Sequence, residues 1–182
     1  MKNVFIIHGV GGTPEENWFP WLKGELESRE EYRVIVPQFP TPEGQTLENW
    51  LEVMAPYEEL LEDSIVIGHS LGTPFLLALL EKHRVSEAYF VGGFYTMPKE
   101  SQFYEGAKSF VERAFEFEKI RGNCGRFVIF HSDNDPYVAL ERAEALADKL
   151  EAKVSLVNGA GHFNLRAGYD EFELLLEEIV KK

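Results

Sequence analysis

Apolar residues in this chain fall into two alternating kinds of segment. Six short, nearly continuous apolar runs are typical of buried β-strands, and five longer segments repeat apolar residues at the spacing of an amphipathic helix. The strand-like runs are residues 3–7, 32–36, 64–67, 88–91, 126–130 and 153–157. The helical stripes lie at residues 18–26, 47–54, 71–80, 140–150 and 172–179.

The order of these segments predicts the fold class. Strands that are apolar throughout indicate a parallel sheet covered on both faces. Because strands and helices alternate along the chain, we expect an α/β protein built as a three-layer α/β/α sandwich. No internal repeat or linker interrupts the pattern, so residues 1–182 are expected to form a single domain.

Residues 95–122 depart from this alternation. The segment is long and rich in aromatic residues, and its apolar positions have helical spacing at Phe103, Ala107, Phe110, Val111, Ala114 and Phe115. One interpretation is a helix that simply covers the sheet. The other is a short cap-like insertion in which Phe103 and Phe110 form part of a substrate pocket.

The segment Gly68-His69-Ser70-Leu71-Gly72 lies between an apolar strand and an apolar helix. This is the G-x-S-x-G pattern of a nucleophile elbow, in which a sharp turn lifts a serine above the sheet. The two glycines avoid the clashes that side chains would cause at such a turn. The pattern therefore predicts that Ser70 is a nucleophile.

Polar residues follow several other predicted strands. His8-Gly9-Val10-Gly11-Gly12 follows the first, residues 131–136 follow the fifth, and residues 158–163 follow the sixth. Because ligands of open parallel sheets bind beyond the carboxyl ends of the strands, these groups are expected to converge. The order serine, acid, histidine along the chain is the order found with nucleophile elbows.

We assign Ser70 as nucleophile, His162 as general base and then acid, and Asp135 as the carboxylate that orients the imidazole. Asp133 is the alternative acid. Asp135 precedes Pro136 and a helical segment, so it could also cap that helix. His8, His69 and His131 are interpreted as hydrogen-bonded supports.

A tetrahedral intermediate needs backbone N–H donors for its oxyanion. One is expected from Leu71, and the second from Val10, with Gly11 as the alternative in a loop that glycines allow to approach the substrate closely. A dinucleotide loop is disfavoured because Pro14 stands where the G-x-G-x-x-G pattern needs glycine. Trp18 is either a core residue or a wall of the substrate pocket.

Composition narrows the range of partners. A net charge of −13 disfavours nucleic acids and anionic membranes as partners. The predicted serine nucleophile instead favours a small-molecule acyl substrate. No cluster has metal-ligand spacing, so neither a metal nor another cofactor is expected. The single cysteine, Cys124, and an N-terminus unlike a secretory signal favour a cytoplasmic protein.

These motifs together resemble the α/β-hydrolase superfamily and, more narrowly, the small serine hydrolases related to retinoblastoma-binding protein 9. The resemblance rests on residues 18–22, the elbow at 68–72, Asn134-Asp135-Pro136-Tyr137-Val138 and Gly161-His162-Phe163. It implies six parallel strands in the order 2-1-3-4-5-6 and hydrolysis of small esters or amides. The Leu-x-Cys-x-Glu motif by which that family binds a tumour suppressor is absent around Cys124, so that partner is not predicted.

The sequence thus predicts a serine hydrolase that cleaves small carboxylic esters through an acyl-enzyme. A thioesterase or amidase is the nearest alternative. A non-catalytic protein-binding module on the same fold is an alternative of another class, although no member of the predicted triad is missing.

Overall fold

A parallel sheet of six strands runs through the middle of the molecule, and the computed structural model describes residues 1–181. The strands are β1 (Lys2–Ile7), β2 (Tyr32–Ile35), β3 (Ile65–His69), β4 (Val85–Val91), β5 (Cys124–Ser132) and β6 (Val154–Val157). Their order in the sheet is β2-β1-β3-β4-β5-β6, and neighbouring strands are parallel throughout. This confirms the strand order that the resemblance implied.

Helices cover both faces of the sheet, which confirms the three-layer sandwich. They are α1 (Phe19–Glu27), α2 (Leu47–Met54), α3 (Gly72–Leu80), α4 (Tyr104–Val111), α5 (Phe117–Gly122), α6 (Leu140–Leu150) and α7 (Glu173–Val180). Side chains of β1 alternate between the faces: Val4 and Ile6 join the core under α1 and α7, whereas Phe5 and Ile7 join the core under α2 to α6.

Helix α3 is the innermost helix. All nine of its residues are buried, because α2, α4 and α5 pack around it while its other side lies on the sheet. A helix that is apolar on every side requires this position. The helix that follows the elbow serine is therefore packed on all sides.

Some element boundaries differ from the expectation. Strand β4 begins at Val85, three residues early, because Glu87 lies in the strand and pairs with Arg126 of β5 at 3.1 Å. The single helical stripe expected over residues 103–115 was wrong, since α4 ends at Val111 and α5 begins only at Phe117. Within residues 1–181, no helix has the length and apolar character needed to cross a membrane.

Candidate active site

Ser70 sits on a strained turn between β3 and α3. Its φ is +53°, a left-handed backbone conformation that residues other than glycine rarely adopt. Its N–H donates to the carbonyl of Val91 at 2.9 Å. A Cβ on Gly72 would lie 2.5 Å from the carbonyl oxygen of Ile7. The glycine at this position is therefore required by the close approach of β1 to the start of α3.

This close approach gives a testable prediction for stability. Gly72→Ala is expected to lower the free energy of unfolding by about 1–3 kcal/mol, because the added methyl group meets rigid backbone. Gly24→Ala is the matched control, because Gly24 lies in α1 with open space around it. That variant is expected to raise the free energy of unfolding by about 0.5–1 kcal/mol. Urea titration measures both changes, and equal effects at the two positions would contradict the prediction.

Asp135 and His162 are joined by a short hydrogen bond. Asp135 Oδ2 lies 2.6 Å from His162 Nδ1, and the side chains are 1% and 8% exposed, respectively. Burial would raise the pKa of the Asp135 carboxyl, but the hydrogen bond and charge of His162 and two backbone N–H groups together lower it. The carboxylate is therefore ionised and accepts the proton on Nδ1, which leaves Nε2 outside this hydrogen bond.

The loop that carries His162 is fastened to the loop that carries Asp135. The amides of Gly159, Ala160 and Gly161 donate to side-chain oxygens of Asp133, Ser132 and Asn134, respectively. Asp133 thus binds the backbone of the His162 loop, and Asp135 is the aspartate that is hydrogen-bonded to the imidazole. Asp135 does not cap the following helix, because α6 begins only at Leu140; its Oδ1 instead accepts from the amides of Tyr137 and Val138.

Ser70 borders the same cleft as His162, but the two side chains are not hydrogen-bonded. Among residues 1–181, the Ser70 hydroxyl has no hydrogen-bond partner. Contacts of this kind commonly tighten only when substrate is bound. Gly92, which has a φ of +57°, lies behind the imidazole, where a Cβ would come within 3.1 Å of the ring.

Two buried histidines support this arrangement without sharing its chemistry. His69 Nε2 donates to the backbone carbonyl of His162 at 2.8 Å, and burial, together with the charge of His162, lowers the pKa of His69 to about 3. His131 Nε2 donates to the carbonyl of Val138 at 2.9 Å, and burial lowers its pKa as well. Both rings are therefore neutral, and they hold the backbone on either side of the Asp135–His162 pair.

The loop after β1 lies directly against the elbow. A Cβ on Gly9 would be 3.0 Å from Cβ of Ser70, so glycine is needed for this contact. Among the described residues, the amides of Val10 and Leu71 donate to no protein acceptor, whereas the amide of Gly11 donates to Thr41 Oγ1 at 2.7 Å. The free donors are thus the two expected ones, and the alternative, Gly11, is already engaged.

His8 fixes the start of this loop. Its Nε2 accepts from the amide of Phe39 at 3.1 Å, so the ring proton is on Nδ1, which donates to the carbonyl of Gly9 at 2.8 Å. Burial lowers the pKa of His8, which keeps the ring in this neutral form. The Gly9 carbonyl belongs to the same planar peptide as the Val10 amide, so the direction of that amide is constrained too.

The cleft above Ser70 has a volume of about 500 Å³ and two chemically different walls. One wall comes from the segments that precede α4 and α6, and it is largely apolar. The other comes from the segments that precede α1 and α7, and it is largely polar. The first is formed by Phe94, Met97, Phe103, Tyr137 and Val138, and the second by Glu16, Asn17, Asn164, Leu165 and Arg166.

Three residues expected at the pocket lie elsewhere, and only Phe103 of the four lines it. Phe110 is fully buried in the core, where its ring packs edge-on against Trp50 at 4.9 Å. Trp18 is also fully buried, and its indole N–H donates to the carbonyl of Phe163 at 3.1 Å. Gly11 is not among the residues that line the cleft, and its amide donates to Thr41. The structure corrects the pocket expectation for Phe110 and Gly11, and for Trp18 it supports the core alternative.

Sequence reasoning missed several residues of the cleft. The ring of Tyr137 stands edge-on to that of His162 at 5.1 Å and to that of Phe103 at 5.6 Å, so it links the apolar wall to the imidazole. Its place two residues after Asp135 was a usable signal. Glu16, Asn164 and Arg166 carry no motif, and only the folding of their loops brings them together.

Comparisons with known proteins place the chain in a family. A family model described as serine hydrolase matches residues 4–180. YdeN of Bacillus subtilis (strain 168) is 27% identical over 181 residues, which cover 97% of this chain and 93% of YdeN. The crystal structure of the ydeN gene product superposes with a TM-score of 0.90, at 26% identity, covering 98% of this chain and 97% of that one.

Two further proteins extend the comparison. Serine hydrolase RBBP9 of Rattus norvegicus is 28% identical over 160 residues, covering 87% of this chain and 85% of the relative. The esterase domain of a Rhodothermus marinus protein shares the fold, with a TM-score of 0.71 at 17% identity, and the match covers 98% of this chain and 84% of that domain. The fold is thus that of the α/β-hydrolases.

Proposed function

The chain belongs to the serine hydrolase family, and from this premise we propose that it cleaves small carboxylic esters through an acyl-enzyme formed on Ser70. The observation that carries the proposal is the buried Asp135–His162 pair, whose histidine borders the same cleft as a serine on a strained elbow. The expectation from sequence that these three residues act together as a catalytic triad is part of this proposal.

The first half of the reaction acylates the enzyme. Ser70 Oγ attacks the ester carbonyl carbon while its proton moves to Nε2 of His162. The carbonyl oxygen becomes an oxyanion, which the amides of Val10 and Leu71 can receive because neither has a protein acceptor among the described residues. The bond to the leaving alcohol then breaks, and the alcohol takes the proton from His162.

The second half frees the enzyme. A water molecule attacks the acyl carbon, gives its proton to His162 Nε2, and forms a second oxyanion in the same position. The bond to Ser70 Oγ breaks, Oγ recovers the proton, and the carboxylic acid leaves. Throughout, Asp135 keeps the imidazole in one tautomer and stabilises its charged form.

The cleft favours small acyl groups. We place the acyl group against the apolar wall with Phe94, Met97 and Phe103, and the leaving group against the polar wall, beside the loop of His162. Each methylene buried on the apolar wall contributes about 0.8 kcal/mol, or about fourfold in binding. A cleft of about 500 Å³ limits how many methylenes can gain this contribution.

A series of 4-nitrophenyl esters from acetate to dodecanoate tests the proposal. We expect kcat/KM to rise by up to about 200-fold between acetate and hexanoate, at about fourfold for each of the four added methylenes, and then to stop rising. Phe103→Ala should reduce this gain, whereas Phe115→Ala should leave it intact, because Phe115 lies in the same segment but outside the cleft.

Other outcomes have distinct meanings. Turnover of matched thioesters or anilides well above that of the esters would move the assignment to a thioesterase or an amidase. No turnover of any of them by folded protein would count against a hydrolase and for a binding role of the cleft.

A further inference from the structure

The loop after β1 forms a tight turn over residues 9–12. The amide of Gly12 donates to the carbonyl of Gly9 at 3.2 Å, and Gly11 has a φ of +68°. These are the features of a type II β-turn, which requires a positive φ at its third residue. No atom would obstruct a Cβ at Gly11, so the backbone conformation is the reason for glycine here.

A hydrogen-bond relay starts from the middle of this turn. The amide of Gly11 donates to Thr41 Oγ1 at 2.7 Å, and the Thr41 hydroxyl donates to Gln45 Oε1. The amide group of Gln45 then donates from Nε2 to the carbonyl of Gly106, in α4, at 2.7 Å. We call the chain of groups from Gly11 through Thr41 and Gln45 to Gly106 the Thr41–Gln45 relay.

The direction of the relay is fixed by the backbone groups at its ends. The Gly11 amide can only donate, so Thr41 Oγ1 accepts and its own proton is free for Gln45. The Gly106 carbonyl can only accept, so the Gln45 side chain must present Nε2 to it and Oε1 to Thr41. Gln45 is buried, with 8% of its surface exposed, and all of these bonds are needed to satisfy it.

Helix α4 is fitted to this buried amide. A Cβ on Gly106 would lie 2.8 Å from Gln45 Nε2, so a larger residue could not stand there without displacing the glutamine. Phe103, which lines the apolar wall of the cleft, immediately precedes α4. The relay therefore links the loop over the elbow serine to the helix beside the acyl wall.

We propose that Thr41, oriented by Gln45, is a positioning residue that holds the Val10 amide in the direction needed for the oxyanion. The inference rests on the proposed function. The Val10–Gly11 peptide is the central peptide of the turn, and its rotation converts one turn type into the other. The Val10 N–H itself lies in the preceding Gly9–Val10 peptide, whose carbonyl accepts from His8. Thr41 opposes rotation of the next peptide by accepting from Gly11, so the two peptides that meet at Val10 are both held.

The position of the Val10 amide matters for rate more than for binding. An oxyanion exists only in the tetrahedral states, so a donor that is aimed in advance lowers their energy without improving substrate affinity. A change that misorients the Val10 N–H should therefore reduce kcat and leave KM almost unchanged. If Thr41 were only a structural residue, its replacement would change stability but would not lower kcat selectively while KM stayed the same.

Thr41→Val and Thr41→Ser form a matched pair for the test. Valine keeps the size of threonine but removes the hydroxyl, and serine keeps the hydroxyl. With a 4-nitrophenyl ester as substrate, Thr41→Val is expected to lower kcat about 10- to 100-fold with KM within threefold of wild type. Thr41→Ser is expected to restore most of kcat.

Gln45→Met provides the second test and keeps the inference falsifiable should Thr41→Val not fold. Methionine has the shape of glutamine without its polar atoms, so the Thr41 hydroxyl loses the acceptor that orients it. We expect a smaller loss of kcat than in Thr41→Val. The double variant should lose no more than Thr41→Val alone, because both changes break one relay. Amide exchange at Gly11, followed by NMR, should be faster in each variant.

The inference and the proposed function can fail separately. Wild-type protein that hydrolyses the ester, together with folded Thr41→Val and Gln45→Met variants within twofold of wild-type kcat, would overturn the relay's role alone. Equal losses in kcat and in substrate affinity would also overturn it, because they would indicate a general disturbance of the cleft. Folded wild-type protein without esterase activity would count against the proposed function.

Discussion

Replacing either Ser70 or His162 with alanine is expected to lower kcat for a 4-nitrophenyl ester by about 10⁶-fold. Without Ser70, no acyl-enzyme can form. Without His162, the hydroxyl keeps its proton during attack, and the leaving alcohol receives none. The residual activity should come from substrate binding and from the amides of Val10 and Leu71.

The double variant distinguishes a catalytic unit from two independent contributors. Because Ser70 and His162 are proposed to act in the same proton transfer, removing both should cost hardly more than removing one. If the two residues contributed independently, the fold-losses in kcat of the single variants would instead multiply in the double variant. Single-turnover measurements with the three variants, each checked for an unchanged unfolding transition, provide the comparison.

Covalent labelling gives a readout that does not depend on the choice of ester. A serine-directed fluorophosphonate should modify wild-type protein at Ser70, and peptide mapping should locate the adduct there. Ser70→Ala should remain unmodified. Labelling at another serine, or none on well-folded wild-type protein, would contradict the assignment of the nucleophile.

The sequence was enough to predict the sheet because the same pattern, an apolar strand followed by an amphipathic helix, recurs along the chain. Apolar strands and amphipathic helices follow each other along the chain, and each strand start or end could shift by a few residues without altering the layers. Polar residues within strands were not predicted by this pattern. Glu87 was not assigned to β4 because its partner, Arg126, lies on the neighbouring strand. A pattern of apolar residues does not indicate such pairs.

The candidate site was predictable only where the local sequence fixes the geometry. The elbow demands glycine at Gly68 and Gly72, so Ser70 could be identified from five residues. The amides of Val10 and Leu71, which we propose as oxyanion donors, could be predicted from their places beside the strand ends. For the walls of the cleft, no such constraint exists along the chain, because they are assembled from loops that precede four different helices.

Two phenylalanines of the 95–122 segment, Phe103 and Phe110, show why pocket residues were harder to predict. Phe103 and Phe110 have the same spacing pattern, yet Phe103 precedes α4 and lines the cleft, whereas Phe110 lies within α4 and packs on Trp50. Thr41 gave no signal at all, because its hydrogen bond to Gly11 spans 30 residues of sequence. Both outcomes depend on tertiary contacts.

Asp135→Asn is expected to lower kcat by about 10⁴-fold with little change in the fold. Asparagine has nearly the shape of aspartate, but its amide group can donate to His162 Nδ1 and so favours the tautomer with the proton on Nε2. That ring cannot take the proton of Ser70. The variant also loses the negative charge that stabilises the protonated imidazole during attack.

Asp133→Asn is the matched control, since the two aspartates lie two residues apart in the same loop. Asp133 Oδ1 accepts from the amide of Gly159 at 2.7 Å, and an asparagine carbonyl oxygen can accept the same bond. Its kcat should therefore stay within a few-fold of wild type. A large loss in Asp133→Asn, with most activity kept in Asp135→Asn, would transfer the orienting role to Asp133. Such a result would also require the loop to rearrange in solution, because the His162 ring meets Asp135 in the structure.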